Sequence, residues 1–227
     1  MKTTSYALLG LIFFLFSCQA EKQESATAED TAPEFVSLFN GKDLSGWQGN
    51  TQSYKVEDGT IKVDPAEGKG GGNLYTDKEY SDFVFKFEFK LTPGANNGLG
   101  IHTPLEGDAA YVGKELQILD NTAEKYAELE PYQYHGSVYG VIPAKRGHLN
   151  PVGEWNQQEV SVKGSHIKIV LNGTTIVDGD YVEASKEGTM DGKDHPGLER
   201  RKGYIAFCGH GDVLYFRNIE IKDLSNS

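Results

Sequence analysis

The chain has 227 residues, of which 24% are charged, and its formal net charge at pH 7 is −11. Because phosphate backbones are recognised by clustered Lys and Arg, this charge balance argues against a nucleic-acid-binding protein. The 27 glycines and the 11% aromatic residues favour strands and turns over long helices. Since neither an internal repeat nor a second domain boundary is visible, we expect an all-β protein with one folded domain.

The N-terminal 34 residues have the pattern of an exported and anchored protein. Lys2 precedes an apolar run, residues 6–16, that is too short to span a bilayer and is typical of a secretory signal. The run ends in LFSC, which resembles a bacterial lipoprotein cleavage site. We expect residues 1–17 to be the signal peptide, Cys18 the lipidated residue and 18–34 a polar tether. An ordinary signal peptide with an unrelated Cys18 is the alternative.

These features predict a location in the periplasm or at the cell surface, with the lipid on Cys18 inserted in a bacterial membrane of Gram-negative type. If Cys18 is acylated, Cys208 has no partner for an intramolecular disulfide, because the chain has only two cysteines. The fold then depends on core packing.

Downstream of the tether, short alternating runs are separated by turn residues at the spacing of a β-sandwich. The clearest is FVFKFEFKL, residues 83–91, where apolar and charged side chains alternate. A turn at 163–165 and a type I′ turn at Asn172-Gly173 predict a meander, and an irregularity is expected at 217–218. Helix formers over 123–129 predict one surface turn. About a dozen strands without an amphipathic helix predict two sheets that cover each other.

The stretch KELQILDN, residues 114–121, places polar side chains on an otherwise apolar strand. Alternation puts Glu115 and Gln117 on one face and Leu116 and Ile118 on the other. Asp120 either begins a turn after the strand or joins the polar face through a β-bulge, and the consecutive apolar pair before it favours the bulge. Such a polar face is costly when buried without partners but suits a wet, sugar-binding cleft.

Seven motifs follow one another in a fixed order, namely LFNGKDLSGWQG, YKVEDGTIKV, GANNGLGIHTP, GKELQILDN, HGSVYG, GEWNQQEVSVKGSHIKIVLNG and GYIAFCGHGDVLYFRNIEIKDL. Together they resemble the 3-keto-disaccharide hydrolase family, and the resemblance covers Phe35 to Leu224. The resemblance implies a concanavalin A-like jelly-roll sandwich of two curved antiparallel sheets, with residues 35–227 as a single catalytic domain. It also implies cleavage of glycosides that a separate oxidoreductase has oxidised at C3.

The implied reaction is removal of the C2 proton, elimination across C1–C2 and hydration of the product. It requires a base, an acid and a group that holds the enediolate charge. We predict Glu115 as the base and His135 or His210 as the acid. No cofactor is required by the sequence, although a divalent cation held by Glu115 and His135 could also stabilise the enediolate. The side chains predicted to bind the oxidised glycoside are Gln117, Asp120, His102, Lys145 and Tyr139.

Two other functions remain open from the sequence. ELQILD is similar to the ExDxxE strand of laminarinase-like retaining glucanases, but Gln117 replaces the middle Asp and Asp120 is shorter than the last Glu. The other function is a non-catalytic carbohydrate-binding lipoprotein, because the same fold also serves lectins. The remaining histidines, among them His195, are expected to be exposed in loops or hairpins.

Overall fold

A computed structural model describes residue 1, residues 33–65 and residues 71–225 of the chain. Cys18, the signal peptide and most of the tether lie outside the described residues, so those assignments stay predictions. Within the described ranges, no helix has both the length and the apolar composition needed to cross a membrane.

Strands dominate the described part of the chain, as the alternating sequence pattern predicted. They are β1 (Val36–Ser37), β2 (Trp47–Gly49), β3 (Tyr54–Glu57), β4 (Thr60–Val63), β5 (Gly72–Tyr80), β6 (Phe83–Leu91), β7 (Asn96–Thr103), β8 (Lys114–Leu119), β9 (Trp155–Lys163), β10 (His166–Leu171), β11 (Thr174–Asp180), β12 (Gly203–Gly209) and β13 (Leu214–Asp223). The short α-helices are α1 (Ala109–Val112) and α2 (Tyr181–Ala184), and 3-10 turns occupy Thr51–Ser53, Glu124–Tyr126, Pro131–Gln133 and Pro196–Glu199.

The strands form two antiparallel sheets. The larger sheet has the order β11-β10-β9-β6-β13-β4-β3, with β1 paired to β13, and the smaller has the order β2-β5-β12-β7-β8. A jelly-roll sandwich is therefore confirmed, and β8, the strand of KELQIL, lies at the edge of the smaller sheet.

The core between the sheets is built on the alternating phenylalanines of β6. Burial alternates along the whole strand from Phe83 to Leu91. Across the core, the rings of Phe207 in β12 and Phe216 in β13 stack with centroids 3.8 Å apart, and the ring of Phe87 lies 5.8 Å from that of Phe207. Burying these large rings supplies the hydrophobic stabilisation that holds the two sheets together.

The predicted turns and the predicted irregularity are also confirmed. Asn172 and Gly173 both have positive φ, 48° and 82°, as a type I′ hairpin turn requires, and they join β10 to β11. In β13 the pairing register shifts between Arg217 and Glu220, and Asn218 there has φ 49°. The helix formers near residue 124 form a single 3-10 turn.

Candidate active site

A cleft of about 340 Å³ opens on the face of the smaller sheet that points away from the core. Its floor comes from β7 and β8, with His210 just after β12. Beside the floor lie residues of α1, here called the α1 wall, and residues of the segment that follows β8, here called the 126–139 wall. The lining residues are Asn96, Glu115, Gln117, Leu119 and His210 on the floor, Asp108, Ala110 and Tyr111 on the α1 wall, and Tyr126, Leu129, Gln133 and Tyr139 on the 126–139 wall.

Strand alternation in β8 sends Glu115 and Gln117 into the cleft, while Leu116 and Ile118 pack in the core. Glu115 leans across the neighbouring strand over Gly98. A Cβ atom on residue 98 would lie 1.8 Å from Glu115 Oε1, far closer than two non-bonded heavy atoms can approach. The glycine therefore creates the space in which the carboxylate lies.

The central feature of the floor is a hydrogen bond between Glu115 and His210. Glu115 Oε1 lies 2.7 Å from His210 Nε2; the Glu115 side chain is 5% exposed, whereas the His210 side chain is 40% exposed. This hydrogen bond raises the pKa of His210, and the charges of Glu115, Asp108 and Asp212 act in the same direction against the effect of burial. The imidazole therefore keeps a proton at higher pH than an ordinary histidine does.

Polar and aromatic groups complete the cleft. Asn96 Oδ1 is buried at the cleft and has no hydrogen-bond partner among the described residues, so it can accept a hydrogen bond from a ligand. Asp108 caps α1 by accepting a hydrogen bond from the Ala110 amide at 3.0 Å. The rings of Tyr111 and Tyr139 are amphipathic surfaces of the kind that contacts sugar rings.

A family model described as a 3-keto-alpha-glucoside-1,2-lyase-like domain matches residues 34–222. The chain belongs to this family. A Bacteroides thetaiotaomicron protein named 3-keto-disaccharide hydrolase is 26% identical to this chain over an alignment of 245 positions, which covers 92% of this chain and 84% of that protein.

Solved structures agree with the fold of this lyase-like domain. A provisionally named glycosyl hydrolase from Parabacteroides distasonis is 30% identical, with a TM-score of 0.73 and coverage of 84% of this chain and all (100%) of that chain. The carbohydrate-binding module CBM66 of Bacillus subtilis is 12% identical, with a TM-score of 0.51 and coverage of 78% of this chain and 96% of that chain. The second likeness concerns the fold alone.

Asp120 does not join the polar face of β8, so the predicted bulge is wrong. The β7–β8 register is continuous from Asn96 to Ile101, and β8 ends at Leu119. Asp120 accepts hydrogen bonds from the Gly94 amide at 2.8 Å and from the Thr122 amide and hydroxyl at 2.9 and 2.6 Å. Burial would raise its pKa, but these hydrogen bonds outweigh burial and lower it. Asp120 stabilises a turn and does not line the cleft.

His135 lies in the core, not in the cleft where the acid was predicted. Its ring packs against Phe89 with centroids 5.0 Å apart. Its Nδ1 accepts a hydrogen bond from the Leu119 amide at 3.3 Å, and its Nε2 lies 3.1 Å from the side-chain oxygen of Gln158. Burial lowers its pKa to about 4, so the ring is neutral at pH 7. Both nitrogens are occupied, which leaves neither for a substrate or a metal.

His102 and Lys145 also lie away from the cleft. His102 is fully buried, with Nε2 2.7 Å from the Ser81 carbonyl and Nδ1 3.1 Å from Lys114 Nζ. Burial, reinforced by the Lys114 charge, lowers the His102 pKa to about 4. Lys145 is exposed and does not line the cleft. Neither residue is placed to contact a sugar in the cleft, because the His102 side chain is buried and the Lys145 side chain is exposed to solvent elsewhere.

The described residues do not fit the predicted metal site. Across residues 33–65 and 71–225 there is no group of three or more His, Cys, Asp or Glu side chains arranged to hold a metal ion. Glu115 is hydrogen-bonded directly to His210, and His135 is hydrogen-bonded to Gln158 in the core. We therefore assign no step to a metal.

The structure adds cleft residues that sequence reasoning missed, namely Asn96, Asp108, Tyr111, Tyr126 and Gln133. A signal for part of the floor was present in NNGLGIHT. Gly98 and Gly100 interrupt an otherwise regular strand, and glycines in that setting mark a close approach by another group. Three predicted site residues, Gln117, Tyr139 and His210, do lie in the cleft with Glu115.

Proposed function

We propose that this protein cleaves glycosides whose sugar carries a ketone at C3, by elimination and hydration. Family membership and the name of the Bacteroides relative support the substrate class. The observation that carries the proposal is the 2.7 Å contact between a buried carboxylate and a partly exposed histidine on the floor of a cleft. That contact places a proton acceptor and a proton donor side by side, as the reaction requires.

In the first step, Glu115 removes the proton from C2. The neighbouring C3 ketone acidifies this proton, because the electrons left behind delocalise onto the ketone oxygen as an enediolate. The carboxylate is held over Gly98 and oriented by His210, so the base is in position before the substrate binds.

In the second step, His210 donates its proton to the glycosidic oxygen as the C1–O bond breaks. The raised pKa of His210 means that the imidazole keeps this proton to higher pH than an ordinary histidine does. The products are the alcohol and a 3-keto sugar with a double bond between C1 and C2. Water then adds its oxygen to C1 while a proton returns to C2, so the net reaction is hydrolysis. In this proposal Asn96 and Gln117, which line the cleft, bind sugar hydroxyls during these steps.

A retaining glycosidase fits this cleft less well. Retention needs two carboxyl groups about 5–5.5 Å apart on either side of the bond. On β8, Gln117 stands at the middle position of that strand motif, and Asp120 is turned away into hydrogen bonds with Gly94 and Thr122. The strand therefore supplies only one carboxylate, Glu115, to the floor.

The test compares a 3-keto-glucoside with its unoxidised parent, using the purified folded domain in D2O. We expect cleavage of the keto-glucoside alone, with deuterium incorporated at C2. Glu115→Gln should lose activity by about 10²–10⁴-fold, since it removes the base. The matched control is Glu159→Gln, which alters a partly exposed contact with Lys86 on the larger sheet. Equal turnover of both sugars would refute the proposal, and binding of the keto-sugar without turnover would favour a lectin.

The proposal extends to the setting of the reaction. The protein would be held at a bacterial membrane by a lipid on Cys18, in the periplasm or at the cell surface, and would receive its substrate from a glycoside 3-oxidoreductase. Incorporation of a labelled fatty acid into the wild type but not into Cys18→Ser would support the anchor. Equal labelling of the two would contradict it.

A further inference from the structure

A buried hydrogen-bonded pair, His195–Asp191, lies outside the cleft and contacts both of its walls. The His195 side chain is 1% exposed and the Asp191 side chain 4% exposed. His195 Nε2 lies 3.1 Å from both carboxylate oxygens of Asp191. Neither residue lines the cleft. Burial of a charged group is costly, so a pair kept at this position calls for an explanation.

On one side the pair holds the α1 wall. His195 Nδ1 donates to the Ala110 carbonyl at 3.0 Å, since a carbonyl oxygen can only accept. The ring of Tyr111 packs on the ring of His195, with centroids 4.8 Å apart. Lys193, which follows Asp191 in the same loop, donates to the Tyr111 hydroxyl at 2.8 Å.

On the other side the pair supports the 126–139 wall where it ends. Gly140 has φ +71°, and a Cβ atom there would lie 2.8 Å from the His195 ring and 3.0 Å from Asp191 Cγ. The backbone of Gly140 therefore packs directly on the pair. The Met190 amide also donates to the Gly140 carbonyl at 2.7 Å, and the adjacent Tyr139 donates its amide to the Glu115 carbonyl at 2.9 Å.

We propose that the His195–Asp191 pair is a positioning device that sets the distance between Tyr111 on the α1 wall and Tyr139 on the 126–139 wall. It contacts neither the substrate nor the reacting atoms. Its contribution is to substrate binding, because the walls hold the sugar while Glu115 and His210 on the floor carry out the chemistry. The kinetic part of this inference rests on the proposed function, but the structural part does not.

The experiment compares His195→Ala, Asp191→Asn and a control, Leu171→Ala, which removes a buried side chain of β10 in the other sheet. Asparagine keeps the shape of Asp191 and can donate a hydrogen bond to His195 Nε2. For His195→Ala we expect KM for a 3-keto-glucoside to rise about tenfold with kcat nearly unchanged, because one buried contact is lost from each wall. For Asp191→Asn we expect KM to stay within about threefold of the wild-type value.

Hydrogen exchange measured by mass spectrometry gives a readout that needs no activity. In His195→Ala, residues 108–113 and 137–141 should exchange faster than in the wild type, whereas in Leu171→Ala exchange should accelerate in β9–β11 instead. Unchanged exchange at both walls, or a KM for Asp191→Asn as high as for His195→Ala, would overturn the inference. Failure of the wild type to cleave any 3-keto-glycoside would refute the proposed function. The hydrogen-exchange result would still decide whether the His195–Asp191 pair positions the two walls.

Discussion

Replacing Gly98 with alanine should disable the site while leaving the fold intact. The new Cβ atom would lie 1.8 Å from Glu115 Oε1, 2.5 Å from Cδ and 2.6 Å from Cγ. Ordinary carbon–oxygen contacts begin above 3 Å, so the carboxylate must move by more than about 1 Å. Gly98 does not have positive φ, and alanine is therefore compatible with the backbone of β7. The strain is released by rotation of the flexible Glu115 side chain.

Such a movement breaks the hydrogen bond between Glu115 and His210. A misplacement of about 1 Å in a catalytic group can cost about 10²-fold in rate, which is the loss of kcat/KM expected for Gly98→Ala. The same change should lower the pKa of His210, because the Glu115 hydrogen bond is the main cause of its elevation. The two effects have one structural origin and should appear together.

The assay is kcat/KM on a 3-keto-glucoside, with the His210 pKa measured by NMR and the melting temperature as a check on folding. Gly100→Ala is the matched control, since the nearest atoms that a Cβ atom there would meet belong to Thr103, Cys208 and Ala109. We expect the control to lose stability and to keep the His210 pKa. Activity of Gly98→Ala within twofold of the wild type, at an unchanged His210 pKa, would refute the reasoning.

Three further predictions concern the other titratable side chains. Asp120→Ala should lower the free energy of unfolding in urea by about 1–3 kcal/mol, because the Gly94 and Thr122 donors lose their hydrogen bonds to a charged carboxylate, while kcat stays unchanged. His210→Gln should lower kcat about 10²-fold for an ordinary alkyl aglycone. The loss of kcat should be smaller for a p-nitrophenyl aglycone, because this leaving group needs no acid. Equal losses for all aglycones would contradict the acid role. His102 and His135 have pKa values of about 4 in the fold but about 6.5 when unfolded, so the unfolded state binds more protons between these values. Stability should therefore fall as pH drops from 6.5 to 4, by up to about 3 kcal/mol per histidine, and His135→Gln should flatten this dependence in urea titrations.

The sheet architecture was predictable because its determinants are local. Alternation in β6, the Asn172-Gly173 turn and the irregularity near Arg217 each depend on neighbouring residues, and all three are found in the structure. The same local rule sent Glu115 and Gln117 to one face of β8. Where strand alternation decides the direction of a side chain, the sequence alone predicts that direction.

The histidines show where local reasoning ends. His135 was grouped with Glu115, but its loop folds inward over Phe89, and this placement depends on the opposite sheet. His195 was expected to be exposed, yet it is buried against α1, 85 residues earlier in the chain. His210 reaches Glu115 from 95 residues away. A side chain in a loop has no alternation to orient it, so its partners follow from tertiary packing.

The position of the cleft follows from how the fold protects its sheet edge. If the edge strand β8 were left uncovered, it would offer unpaired backbone groups to other chains. Here the segment after β8 folds back along it, and the Gln117 amide donates to the Ser137 carbonyl, the Gly136 amide to the Gln117 carbonyl and the Tyr139 amide to the Glu115 carbonyl. The segment that covers the edge thereby places Tyr139 beside the floor, in register with Glu115. Edge protection and the 126–139 wall are thus one structural feature, and mutations that loosen this pairing should impair both solubility and substrate binding.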